Sequence, residues 1–301
     1  MYKQNTLPSS EYPSGEPPYA PKKWNDVNKP QVKASHNCYT YMLNDLHKIP
    51  RKTGKPQPGF FAYRTKGEEF NKMLILGNNR LSCNQVKLGV KADNTKAIKI
   101  ISCEKGRRYR CKPGYYKGFL MMAPDRDYHF ARQDNRMIDV YRAMNKDKII
   151  IPEDESKAYR LFLRYIHKVI PEIVKLARKT YPYKMYKGSP IVKLRTIYKC
   201  SKTWSHKPGA TSTLHTDADG KLILNPEKAN WDFSKTGGGI NYSVNCCYFD
   251  IPSNFTKSTH SSGIGNVVNS HLDTRRDLSV NHVDHFYEKH LISIIYPRNV
   301  M

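Results

Sequence analysis

Short apolar-rich runs bounded by polar and turn residues stand out between residues 96 and 133, and they predict strands. KAIKIISCE, GYYKGFLMMA and DYHFARQ carry this pattern, and APDRD between the last two reads as a hairpin turn. Before them, Tyr39, Met42, Leu43 and Leu46 form the apolar stripe of a helix with Ser35 or Asn37 as N-cap, ending by Pro50. RKTGKPQPG then reads as a loop, and residues 67–95 as a short helix and a turn. Residues 153–181 switch to helical spacing. Acidic residues Glu153, Asp154 and Glu155 suit the start, Arg178 and Lys179 the end, and Pro171 should break or kink the run. Strand spacing returns at PIVKLRTIYKC, TWSHKPG and INYSVNCCYFDI, with an Asp-Gly hairpin turn at TDADGK, and once more at LISIIY. The sum is an α+β domain: a mixed antiparallel sheet, an N-terminal helix against it, and a helical insertion.

The ends differ from this core. Residues 1–33 hold Pro8, Pro13, Pro17, Pro18, Pro21 and Pro30, and they predict an extended arm with no core of its own. Residues 251–301 form a C-terminal extension rich in Ser, Asn and His, whose histidines are too irregularly spaced to suggest a site. The core between them spans 34–250, with the insertion at about 135–202.

Charge changes the picture. Lys and Arg number 51 against 26 Asp and Glu, a formal net charge of +25. The excess is clustered, at 18 against 4 between His47 and Gly118 and 13 against 1 between Ser156 and Lys202. Such clusters favour polyanionic partners, nucleic acid among them. The mean hydropathy of −0.71 implies a very polar surface. No run approaches the ~18 apolar residues of a membrane span. Seven cysteines without CxxC spacing predict reduced thiols, and adjacent Cys246 and Cys247 should point to opposite faces of a strand. Neither they nor Asp217 and Asp219 suggest a metal site, and no cofactor is implied.

Cys38 sits in the first turn of the predicted helix, where unpaired backbone N–H groups favour a thiolate. A thiol nucleophile needs a base, and His129, on a strand just after a hairpin turn, is a candidate. A helix-borne Cys beside a strand-borne His is the papain-like arrangement. The runs NCYTYMLND, GYYKGFLMMAPDRDYHFARQD, TWSHKPG and TDADGKLILNPEKAN resemble a set of proteins from bacteria and large DNA viruses. These are similar to the NlpC-type branch of the papain-like superfamily, which holds cell-wall amidases, peptidases and inactive derivatives. The resemblance implies Cys38 as nucleophile, His129 as base and His206 as the residue that orients it. It covers roughly residues 36–48, 114–134 and 203–250. The chain departs from the compact relatives by about 70 residues inserted between Asn135 and Lys202, and by Ala131 in place of a second aromatic.

Three functions are open at this point. The first is a virion-associated protein, a minor capsid or assembly component built on this fold. It would be made in host cytoplasm and meet other virion proteins through the arm and the basic surface. The second is an active cysteine peptidase or amidase. The third is a basic nucleic-acid-binding protein, although no recognition helix, zinc finger or single-strand-binding motif stands out.

Overall fold

The computed structural model describes residues 15–28, 32–46, 55–59, 62, 81–94, 98–106, 108–109, 111, 114–235 and 239–253. The expectations for residues 67–80, LISIIY and the tail histidines lie outside these. Two compact units emerge, residues 15–134 with 204–253 and, separately, 135–203.

The first unit opens with α1 (Pro21–Trp24), α2 (Val32–Ser35), α3 (Cys38–Met42) and α4 (Cys83–Asp93). It continues with β1 (Lys99–Ile101), α5 (Cys103–Gly106), β2 (Tyr115–Ala123) and β3 (Asp127–Asn135). The second unit is helical: α6 (Met137–Lys146), α7 (Glu155–Val169), α8 (Pro171–Thr180), α9 (Pro182–Tyr186) and α10 (Pro190–Ser201). The chain then returns through β4 (Lys202–His206), a 3₁₀ turn at Pro226–Lys228 and β5 (Val244–Pro252). The five strands form one sheet in the order β1-β5-β2-β3-β4, so the protein is α+β.

β2 and β3 pair antiparallel from Gly118↔Arg132 to Ala123↔Asp127, the hairpin that APDRD predicts. Asp125 turns it with φ 58°, a left-handed conformation that Asp tolerates. Side chains alternate across the sheet. Leu120, Met122, Phe130, Phe249 and Ile251 line the face covered by Tyr39 and Met42 of α3 and Val86 and Val90 of α4. Phe119, Met121, Ala131 and Tyr248 line the other, beneath Trp204, Ile223 and Trp231. The close approach of α3 depends on Gly118, where a Cβ would lie 2.6 Å from Met42 Sδ and 2.9 Å from an Ile251 methyl. Gly118→Ala is expected to cost about 1–3 kcal/mol by overpacking, read as a lowered urea midpoint with unchanged slope.

Several expectations change. Residues 190–200 are a helix rather than a strand. Their β-branched residues suggest a strand, but Leu194, Ile197 and Cys200 recur every third position and bury one helical face, and Pro190 suits a first turn. Helix α3 is short because Asn44 takes a left-handed φ of 53° just past its end. Pro171 does divide the long helical run, with Ile170 as the junction between α7 and α8.

Residues 15–28 are not an arm free of the core. Pro21 starts α1, Trp24 is 1% exposed against Tyr41, and the Pro18 and Thr213 carbonyls accept from Arg132 and Tyr19. A tryptophan in the Pro-rich segment gives it an anchor that proline counting overlooks.

The thiols are not all free. Cys83 at the start of α4 and Cys246 on β5 form a disulfide, leaving Cys38, Cys103, Cys111, Cys200 and Cys247 as thiols. The register shift on β5, where Leu120 faces Cys247 and Met121 faces Asn245, is a bulge at Cys246. It brings Cys246 and Cys247 against the same cluster, overriding strict alternation.

Candidate active site

Asn37 begins α3 with a reciprocal cap: its side chain accepts from the Thr40 N–H, and the Thr40 hydroxyl accepts from the Asn37 N–H. Asn37 also donates to the Pro56 carbonyl at 2.6 Å. The next residue, Cys38, is therefore fixed at the first helical position, 6% exposed. Burial pushes its thiol up to about 12, and the Asp127 carboxylate adds to this. The backbone N–H groups of Phe130, Tyr39 and Cys38 itself act against the shift by hydrogen bonding to the sulfur. The lowered thiol pKa expected of a helix start is thus reversed, because desolvation of the thiolate outweighs three amide donors.

His129 projects from β3 on the face opposite Phe130. Its ring stacks on Tyr242 with centroids 5.2 Å apart and meets Trp231 edge-on. His129 Nε2 lies 2.8 Å from His206 Nδ1, and His206 Nε2 lies 3.0 Å from the Thr216 carbonyl. Both rings are kept neutral. Burial holds His129 well below its ordinary value, with His206 adding to it, and burial lowers His206 to about 4.

These contacts determine where the protons sit. The Thr216 carbonyl can only accept, so His206 carries its proton on Nε2 and presents a bare Nδ1. His129 must then donate from Nε2, which leaves its own Nδ1 as the unprotonated nitrogen. Among the described residues Nδ1 makes no hydrogen bond, so it is a base with a free lone pair. The chain Thr216–His206–His129 thereby sets one tautomer of His129 and one ring orientation.

His129 and His206 are brought into direct contact. Cys38 reaches the same strand through the amide of Phe130, the residue after His129, but no hydrogen bond joins it to His129. Two residues that sequence reasoning overlooked complete the site. The Tyr242 ring covers His129, and its hydroxyl donates to Asp127. Lys207 is fully buried and donates to the carbonyls of Lys33, His36 and Gly209, each at 2.8 Å. It ties the turn after His206 to the segment that leads into Cys38. The SHKPG run contained that lysine, but only the fold shows it turned inward.

Elsewhere, the TDADGK turn has Gly220 at φ 72° with its N–H donating to the Asp217 carbonyl, and the Asp217 carboxylate accepts from the Asp219, Lys221 and Asn230 amides. Among the described residues no group of three His, Cys, Asp or Glu side chains is placed to hold a metal ion. None of their helices is long and apolar enough to cross a membrane.

The chain matches no family model, no curated protein and no solved structure.

Proposed function

We propose that the chain is a thiol hydrolase of the papain-like type, a peptidase or amidase, with its site closed at rest. The observation that carries this reading is the Thr216–His206–His129 chain, which leaves His129 Nδ1 bare. A ring oriented this way by a second group is what a thiol nucleophile requires of its base.

In this reading the resting pair is a neutral thiol and a neutral imidazole. When an amide substrate opens the site, the Cys38 proton passes to His129 Nδ1 as the sulfur bonds to the carbonyl carbon. The C–N bond then breaks, the amine leaves with the proton from His129, and a thioester remains on Cys38. Water, giving its proton to His129, hydrolyses the thioester to the acid and restores the thiol. His206 stays neutral throughout as acceptor from His129 and donor to Thr216.

A second reading has its own support. The thiol is buried and pushed up to about 12, the condition of an unreactive cysteine. On that reading the chain is a structural protein on the same fold, and the resemblance to sequences from large DNA viruses makes a virion component its natural form. Packing of residues 15–28 on their own unit leaves less of the N-terminal segment to reach other virion proteins.

A peptidyl chloromethyl ketone, followed by intact mass and peptide mapping at pH 7, separates the two. The hydrolase should take one adduct at Cys38, and His129→Gln should slow this by about 10²-fold or more. If folded Cys38 stays unmodified while it labels in denaturant, the hydrolase reading fails and the structural one stands.

A further inference from the structure

The second unit carries a surface that the thiol chemistry does not use. From Ile173 through Thr203 the sequence holds nine Lys and Arg and no Asp or Glu. In the structure this stretch is α8, α9 and α10, and its apolar residues face inward: Ile173, Val174 and Ala177 on α8, Met185 on α9, Leu194 and Ile197 on α10. What remains outside is basic and aromatic. Tyr183 and Tyr186 are each 73% exposed, Tyr181 is 36% exposed, and Arg178, Lys179, Lys184 and Lys187 stand between and around them. Tyr183, Tyr186 and Lys187 are spaced three and four residues apart, so they share one side of the helical turn. Lys184 lies over the Tyr181 ring at 5.7 Å.

The chemistry of rings set among cations narrows the partner. A polyanion whose recognition is purely electrostatic, such as a sulfated polysaccharide, needs the lysines and not the rings. A lipid surface needs aliphatic area, yet the exposed residues from Arg178 to Lys187 include no Leu, Ile, Val, Met or Phe. Bases have two flat faces that stack on tyrosine, and the phosphates between them pair with Lys and Arg. We infer that the α8–α9 surface of the second unit binds single-stranded nucleic acid. Tyr183 and Tyr186 are its stacking platforms, and Arg178, Lys179, Lys184 and Lys187 pair with its phosphates. The site is independent of Cys38 and His129.

The test uses the full chain, fluorescein-labelled dT and rU 12-mers, a 12-base-pair duplex, heparin, and vesicles of phosphatidylcholine with 30% phosphatidylserine. Tyr183→Ala/Tyr186→Ala should weaken binding to one or both single strands by about tenfold or more, with the slope of log K against log salt unchanged. Duplex and heparin binding should not change. Lys184→Gln/Lys187→Gln should instead lower that slope by about 1.4, or about 0.7 for each phosphate that is no longer neutralised. Both pairs of residues are exposed, and unchanged thermal unfolding would verify that the variants fold. The inference is overturned if the tyrosine variant binds both single strands as the parent does. It is also overturned if the tyrosine variant is weakened on duplex and heparin equally, or if vesicles bind and neither strand does.

Discussion

Arg132→Ala is expected to destabilise the protein by about 3–5 kcal/mol, a large fraction of the stability of a small domain. Arg132 is on β3, fully buried beneath α3. Its Nε donates to Asp134 at 3.0 Å, Nη1 to the Tyr41 carbonyl and Asn44, and Nη2 to the Pro18 carbonyl. The guanidinium lies 4.0 Å from the Tyr41 ring centroid and 5.5 Å from that of Trp24. One cation thus joins β3, the end of α3 and the N-terminal segment. Removing it leaves the Asp134 carboxylate buried without its guanidinium, although the Ser205 hydroxyl still donates to it, and takes a donor from two carbonyls. Arg132→Lys keeps the charge but not the fork, so it should recover only part of the stability. Urea unfolding of the three proteins at pH 7.5 measures this. A stability within about 0.5 kcal/mol of the parent for Arg132→Ala would show that the network is not what holds the N-terminal segment down.

That network marks the boundary of what the sequence reveals. The hairpin of β2 and β3 is legible because two short apolar-rich runs flank a Pro-Asp turn, and the break at Pro171 because proline cannot continue a helix. The cap at Asn37 follows from side-chain chemistry within three residues. The misreadings have a common cause, that tertiary burial outweighs local preference. PIVKLRTIYKC is rich in β-branched residues, yet its buried positions fall at helical spacing. The Pro-rich segment contains a tryptophan that only a tertiary pocket can use. The Cys83–Cys246 link spans 163 positions and depends on a bulge that no local pattern announces. At the site, the resemblance pointed to Cys38, His129 and His206. The tautomer chain requires the carbonyl of Thr216, and a main-chain acceptor has no signature in sequence. The inward turn of Lys207 and the outward turn of Tyr183 and Tyr186 are likewise properties of the folded chain alone.

The buried histidine pair should make the protein lose stability on mild acidification, between about pH 6.5 and pH 4. In the unfolded chain each imidazole titrates near 6.5. In the folded chain His206 is lowered to about 4 by burial, and His129 lies well below its ordinary value for the same reason with His206 adding to it. Over that window the unfolded state binds protons that the folded state refuses, so stability rises with pH there and falls as pH is lowered. Above pH 6.5 both states hold neutral rings and the pair contributes no slope. For His206 alone the loss on descending the window is on the order of 3 kcal/mol. A proton forced onto His206 Nδ1 also removes the acceptor for His129 Nε2–H, so the pair should fail together. Urea unfolding at half-unit steps from pH 7.5 to 4.5 gives the slope directly. His167 on α7 is shifted in the same direction, so the pair's share must be isolated. His206→Asn does this, because its amide oxygen can still accept from His129 while one titrating group is gone. The variant should start less stable at pH 7.5, through loss of the bond to Thr216, and then decline more shallowly than the parent. A parent whose stability stays level from pH 7 to pH 4.5, or a variant that declines as steeply, would mean that these rings take up protons in the folded state. The neutral, singly tautomeric His129 on which the proposed chemistry depends would go with that result.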